Sequence, residues 1–361
     1  VTGPGDTPHP RRNVVVGLLA DPGLPAVAAQ RIAQTLPARL TDEIDDDVDW
    51  AVDVVLEPFE VAPDADRVID KARRRVQGTR WDVAVCLTDI ALLADAGPVV
   101  AQLGHADRVA LVSLPALGGL RLRRRLADLV VALVAEVGVT GVGPPGPSPV
   151  RLARLARRAT PGSNDIDLEL VLHPGHGRAR LLAGMVRANQ PWQLTLGLST
   201  ALAGAATGSV FGILYSSVWS LAVAMEPWRL AVATTAALAV FVVWLIAGHD
   251  LWERRSAGLR LRPLLNLGTG LTVVCGVLLF YAILVAANIL ATGLLLPPEH
   301  LASVLGRPID PAVYLRIALM ASVLGLVAGA VGSGLEKDET VRQAAYSTRE
   351  QQRRRQLGDA G

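Results

Sequence analysis

Four stretches of this chain contain no Asp, Glu, Lys or Arg: Leu194–Met225, Leu230–Gly248, Leu264–Leu296 and Ile317–Leu335. Runs of this length and apolarity predict transmembrane helices, because about 20 apolar residues span the ~30 Å hydrocarbon core of a bilayer. Within lipid a spanning segment must satisfy its backbone polar groups internally, which an α-helix does. Upstream of Pro191-Trp192 charged side chains occur throughout. The expected architecture is therefore an α/β soluble domain with a mostly parallel sheet, followed by an all-α four-helix transmembrane bundle.

Charge is distributed unevenly under a formal net of +2. Residues 1–100 hold 10 basic and 17 acidic side chains, whereas residues 101–190 hold 12 and 6. The positive part lies next to the first apolar stretch, where anionic headgroups would attract arginine. Nucleic acid is disfavoured as a partner, since no stacking aromatics are interleaved with the arginines. Val1–Pro10 has no apolar segment of the signal-peptide kind, which places the soluble domain in the cytoplasm by expectation. The two cysteines, Cys86 and Cys275, have no Cys or His neighbours at metal-ligand spacing.

Arginine placement predicts topology. Arg178, Arg180 and Arg187 precede the first stretch, Arg254, Arg255, Arg260 and Arg262 lie between the second and third, and Arg353-Arg354-Arg355 follow the fourth. The other two loops are lean in arginine. The positive-inside rule then gives a multi-pass protein of the plasma (inner) membrane with both termini cytoplasmic. The first stretch, at 32 residues, would be about 48 Å long as one helix. It is expected to tilt or to extend past the outer headgroups, with a split into two short segments as the alternative.

In the soluble half, Val14–Ala20 is a continuous apolar run, the mark of a strand buried on both faces. Further strands are expected at Trp50–Leu56, Trp81–Leu87, Val99–Leu103, Arg108–Leu114 and Ile166–Leu172. Helices are expected up to about Leu40, at Asp64–Gln77 and at Leu120–Val137. The alternation points to an α/β domain. The segments are 1–12 (a disordered N-terminus), 13–139 (the α/β domain), 140–190 (a linker and basic juxtamembrane segment), 191–335 (the spans) and 336–361 (a charged tail). Within the third segment, Arg151–Ala159 is expected as a short basic helix and Arg178–Asn189 as a second helix.

Ligands of parallel α/β sheets bind beyond the carboxyl ends of the strands. Those ends carry Asp21, Thr88, Asp89 and Ser113, which either form a small polar pocket or serve as caps and turns. Asp21-Pro22 also suits a helix N-cap followed by Pro at the first position. The turn GLLADPGLPAVAAQ lacks G-x-G-x-x-G, and no Walker loop or G-x-S-x-G elbow occurs. Leu120–Val137 carries no H-E-x-x-H, so a zinc protease of the usual form is excluded. His173 and His176 are expected in a solvated turn. The acidic run Asp42–Asp49 lacks the EF-hand glycine and terminal glutamate and is expected as a solvated loop. No metal and no cofactor are expected.

Arg151, Arg154, Arg157, Arg158, Arg178, Arg180 and Arg187 are expected at the membrane surface, on helices lying among anionic headgroups. Gly204, Gly208 and Gly212 share a face of the first span, as do Ala321, Gly325, Gly329 and Ser333 of the fourth. Such ridges let helices approach closely. No charged residue falls inside a span, which argues against an ion-coupled pump. Asn266 and Asn288 are the amides in or near the spans.

The stretches VVVGLLADPGLPA, WDVAVCLTDIAL, RVALVSLPALG, RLLAGMVRANQPWQL, VVWLIAGHDLWER and GSGLEKDETVRQAAYSTREQQRRR resemble an uncharacterised family of actinobacterial membrane proteins. The resemblance covers nearly the whole chain and implies its architecture. Members sometimes carry the label 5,10-methylenetetrahydrofolate dehydrogenase, which the missing nucleotide loop here does not support. The functional expectation is a sensor, scaffold or regulatory adaptor whose partner is the bilayer, together with another protein or a second copy of the chain. A passive transporter or pore and a membrane-tethered nucleotide- or folate-binding enzyme are the alternatives.

Overall fold

A computed structural model describes residues 12–59, 68–138, 156–161, 165–192, 199–249, 251–252 and 262–334. The expected linker 140–149, Arg151, Arg154, most of the N-terminus and the tail lie outside the described residues. The chain divides into two compact units between Ala188 and Asn189.

The first unit is built on one eight-stranded sheet. In chain order its elements are β1 (Arg12–Ala20), α1 (Leu24–Ala33), α2 (Leu36–Glu43), β2 (Val48–Leu56), α3 (Val68–Val76), β3 (Val83–Thr88), β4 (Leu92–Ala94), β5 (Gly97–Gly104), β6 (Val109–Ser113), α4 (Leu114–Leu117), α5 (Leu122–Val137), β7 (Ala156–Ala159), β8 (Leu168–Leu172) and α6 (Gly177–Ala188). The strand order is β2-β1-β3-β6-β5-β8-β7, with β4 on β5. Pairing is parallel from β2 to β6 and antiparallel beyond. The sheet is therefore mixed, where a mostly parallel one was expected. The turn from β5 to β6 is too short for a crossover, so these strands must run antiparallel, and β8 and β7 then extend the free edge of β5.

The strands β1, β3 and β6 are buried along nearly their whole length, which is why their sequences read as unbroken apolar runs. Trp81 lies across Gly17, where an added Cβ would fall within 2.5 Å of three indole carbons. Its Nε1 donates to Asp53 Oδ2 at 2.8 Å.

Two expectations about residues 151–189 are corrected. The described end of the basic segment, Ala156–Ala159, is strand β7, paired in antiparallel register from Ala156↔Leu172 to Ala159↔Glu169. Helical spacing of its arginines yields to pairing with an otherwise open edge. Exposed Arg157 and Arg158 then charge the outermost strand, a common guard against edge-to-edge association. Helix α6 does not keep its apolar face for lipid headgroups. Leu181 is fully buried and Met185 nearly so, and Gly184 backs onto the carbonyl of Pro115, which an added Cβ would approach to 1.9 Å. The first unit thus extends to Ala188 rather than ending near residue 139.

The second unit is helical: α7 (Ser199–Leu214), α8 (Ser216–Ala224), α9 (Pro227–Gly248), α10 (Arg262–Leu295), α11 (Pro298–Leu305) and α12 (Pro311–Ser333). Three helices, Pro227–Gly248, Pro263–Leu295 and Pro311–Ser333, are long and apolar enough to cross a membrane. The first apolar stretch is neither a single tilted helix nor a straight extension. It breaks at Tyr215, and α7 and α8 meet at 82°. Trp219 Nε1 donates 2.8 Å to Ile213 O, satisfying a carbonyl at the end of α7 that α8 does not continue.

Helix α7 lies against α12 with opposite chain direction. A Cβ on Gly204 would sit 2.7 Å from Ala328 O, on Gly208 2.7 Å from Leu324 O, and on Gly212 2.5 Å from Ala321 Cα. From the other side, Gly325 abuts Ala205 O, Gly329 Ala201 O and Gly332 Thr200 O. Glycine suits these positions because each added Cβ would meet backbone atoms of the facing helix, which cannot swing aside as a flexible side chain can.

Candidate functional site

The parallel half of the sheet sets the geometry of the strand ends. β1 lies between β2 and β3, so the chain leaves β1 to one side and later returns to the other. This is the switch-point arrangement at whose carboxyl edge open α/β sheets bind ligands. Ala20 is paired with Leu87 and Thr88 with Ser113. Asp21, Thr88, Asp89 and Ser113 therefore share one edge of the sheet, and all four are buried.

Local hydrogen bonds show what that edge does in this state. Asp21 N donates to Leu87 O at 3.1 Å, and Asp21 Oδ1 accepts from Phe59 N at 3.4 Å. Ser113 Oγ donates to Ile90 O at 2.6 Å, while Ile90 N donates to Thr88 Oγ1 at 3.2 Å. The two hydroxyls thus clamp both backbone groups of Ile90, and Asp21 ties β1 to the segment after β2. Asp21 is not the N-cap of α1. That position is Gly23, at φ 93°, without a side-chain capping bond, and the Asp21 carboxylate is turned to Phe59 instead.

Among the described residues, these hydrogen bonds join no nucleophile to an adjacent base at this edge. Burial pushes the Cys86 thiol well up, and the thiolate is the reactive form. Lys71 is buried on α3. His173 and His176 are exposed in the turn before α6. In the acidic run, Asp45, Asp46 and Asp47 bring carboxylate oxygens within 4.8 Å of one another. Asp45 Oδ1 also accepts from Asp47 N at 3.0 Å, and Asp45 O from Trp50 Nε1 at 3.0 Å, the bonding of a turn that leads into β2.

Two polar assemblies were missed in the sequence. Arg73 of α3 meets Asp70 at 3.1 Å, Asp107 at 2.8 Å and Asp165 at 2.8 Å, which joins the helix to the β5–β6 turn and to the approach to β8. Beside it, His105 N donates 2.6 Å to Asp167 Oδ2, and this bond holds the Asp167 carboxyl below its ordinary value. The second assembly is an arginine group around Gly118 and Gly119. Arg125 Nη1 donates to Leu117 O at 2.7 Å and Arg187 Nη1 to Gly119 O at 2.6 Å. The only local signal was LGGLRLRRR; Arg180 and Arg187 come from 60 residues downstream, by the docking of α6.

In the second unit, buried Asn288 of α10 donates through Nδ2 to Ser209 Oγ of α7 at 3.1 Å and to Ser322 Oγ of α12 at 2.9 Å. Ser209 and Asn288 also line a cavity of about 490 Å³ between α7 and α10, whose other walls include Ala206, Ile213, Phe280 and Leu284. No family model, no curated protein and no solved structure matches this chain.

Proposed function

We propose that this chain is a multi-pass membrane protein of the sensor, scaffold or adaptor kind, with its α/β unit on the cytoplasmic side of the plasma membrane. The carrying observation is how the apolar helices are held together. Helices α7 and α12 meet through glycine–backbone contacts, an amide–hydroxyl knot ties both to α10, and apolar side chains such as Phe241 and Phe280 join α9 to α10. No Asp, Glu, Lys or Arg lies within Leu230–Gly248, Leu264–Leu296 or Ile317–Leu335. Proton- and ion-coupled machinery normally needs such groups at membrane depth. The switch-point edge of the α/β unit, bearing Asp21 and Asp89, is where a small ligand or a partner would act on this reading. The likeness to actinobacterial membrane proteins belongs to the same reading.

The proposed bundle crosses four times. Helix α7 makes the first crossing, and α8 and α11 lie along the outer interface. In support, Ile213, Trp219, Leu230, Leu296, Leu301 and Val313 cluster at the ends of α7, α10 and the starts of α9 and α12. These termini must share a side if α8 and α11 do not cross. Both ends of the bundle then face the cytoplasm, as the arginine distribution requires.

The test is coupling between the units. Amide exchange of α7 and α12 is measured on the full chain in nanodiscs, for the wild type and for Asp21→Asn. An adaptor changes protection in these helices; unchanged protection contradicts the proposal. A passive pathway is the second reading, favoured by the cavity beside Asn288. It predicts solute flux in proteoliposomes that Asn288→Leu alters. An enzymatic role on a folate or nucleotide predicts a thermal shift with NADP or folate.

A further inference from the structure

Two sets of arginines in the first unit contrast. Arg39, Arg73, Arg75 and Arg158 each meet a carboxylate. Arg121, Arg125, Arg180 and Arg187 do not: no ion pair joins any of them to a carboxylate among the described residues. Yet Arg125, Arg180 and Arg187 all reach one loop between α4 and α5, Leu117–Arg121, which Arg121 itself closes.

The convergence is built by the backbone. Gly118 has φ 85°, and a Cβ there would lie 2.7 Å from Arg180 Cγ and 3.2 Å from Arg125 Nη1. The Arg180 stem and the Arg125 head therefore close over a residue that must be glycine on both counts. Gly119 backs onto Ala183 of α6, where a Cβ would lie 3.1 Å from Ala183 O. This close approach brings Arg180 and Arg187 to the loop. Carbonyl oxygens then fix two of the heads, Leu117 O holding Arg125 and Gly119 O holding Arg187. Neutral carbonyls orient guanidinium groups without cancelling their charge.

The remaining local field has the same sign. Helix α5 starts at this loop with Arg121 as N-cap, at φ 54°, without a side-chain capping bond and without an acidic residue in its first turn. Its first N–H groups and the positive end of its dipole add to the arginines. Partial burial, then Arg180, then Arg121 lower the Arg125 guanidinium from its ordinary value, the response expected of crowded like charges.

We propose that Arg121, Arg125 and Arg180 form an anion site at the start of α5 that binds a phosphate group, carried either by a phospholipid headgroup or by a soluble ligand. A phosphate offers several acceptor oxygens to the planar, multi-donor guanidinium forks and carries the charge that the loop lacks. Arg187 is a positioning residue that pins Gly119. The site lies wholly within the first unit, so it goes beyond the functional reading above and does not depend on how the helical unit is used.

The experiment uses the full chain in detergent. Calorimetry titrates inorganic phosphate, and native mass spectrometry counts retained phosphatidylglycerol against phosphatidylcholine. Saturable binding is expected in at least one arm: phosphate binding identifies a soluble source, and phosphatidylglycerol retention alone identifies a headgroup. The triple change Arg121→Gln, Arg125→Gln, Arg180→Gln should weaken that binding by at least about tenfold. Arg123→Gln with Arg124→Gln, on exposed positions of the same helix, should leave it within about twofold. Arg180→Lys guards against a folding defect, since it keeps the charge and the stem over Gly118 and loses the fork; an intermediate loss is expected. Absence of binding in both arms overturns the proposal. So does binding that survives the triple change, or that falls equally in the Arg123, Arg124 control.

Discussion

The two units solve the same problem, joining elements distant in sequence, with different balances of material. In the α/β unit, beside the glycine contact of α6 with Pro115, several long-range joints are charged or polar: Arg73 to Asp107 and Asp165, Arg39 to Asp128 at 2.8 Å, Gln102 to Glu169 at 2.9 Å. In the helical unit they are made by leaving side chains out, as where Gly204, Gly208 and Gly212 meet the backbone of α12. Water explains the difference. At a wet surface an ion pair adds registry at little desolvation cost. Among apolar helices in lipid there is no hydrophobic drive between helices, so close van der Waals approach and a few buried hydrogen bonds must hold them.

The largest expected effect of breaking either joint is in the helical unit. Gly212→Leu would push a side chain into Ala321 Cα, 2.5 Å from the Cβ position, and backbone cannot move aside as a flexible side chain can. A loss of about 3 kcal/mol or more is expected, read as loss of the folded, detergent-resistant helical unit while far-ultraviolet signatures of the α/β unit persist. Next comes Arg73→Met. Its three carboxylate partners are partly exposed, so solvent screening limits the cost to about 1–2 kcal/mol. Amide exchange in α3 and β5 should rise while α7 and α12 stay unchanged.

Two changes of about 1 kcal/mol sharpen the contrast. Ser113→Ala removes the bond to Ile90 O and should loosen the Thr88–Ala91 loop alone. Asn288→Leu removes two donors that bridge α7, α10 and α12, and should lower the thermal midpoint of the helical unit alone. The smallest effect is electrostatic. The Asp167 carboxyl is held below the ordinary value of 3.8 chiefly by the His105 N–H. Its stabilising contribution is thus present above that value and is lost as pH falls through the lower folded value. Asp167→Asn should therefore destabilise β5 and β8 at neutral pH, and the difference from wild type should vanish in acid. A difference that persists in acid would show that packing, not charge, carries it.

Local pattern made much of the fold readable. The apolar runs of β1 and β3, the hairpin around Gly104-His105 and the amphipathic α5 are all visible in short windows. So is the spacing of small residues on α7 and α12, although nothing in either segment says which helix it meets. What was hidden depends on distant partners. Ala156–Ala159 reads as the end of a basic helix until β8 offers an edge. Helix α6 reads as a headgroup helix until Pro115 and Gly119 receive Gly184 and Ala183. The break at Tyr215 carries no Pro or Gly, and its signature, the bond from Trp219 to Ile213 O six residues back, is made by a side chain that gives no breaker signal. At the strand ends the sequence placed Asp21, Thr88, Asp89 and Ser113 on one edge. It did not reveal that Ile90 would occupy the two hydroxyls.

In the proposed arrangement the helical unit crosses a membrane four times, with α8 and α11 along the outer interface and the α/β unit cytoplasmic. Single cysteines at Ser220, Ser303 and Arg123, in a chain with Cys86→Ala and Cys275→Ser, can be labelled in oriented membrane vesicles with a reagent that does not permeate. The account predicts that Ser220→Cys and Ser303→Cys react from the same side and Arg123→Cys only from the opposite side. Reaction of Ser220→Cys and Ser303→Cys from different sides, or of all three from one side, would contradict it.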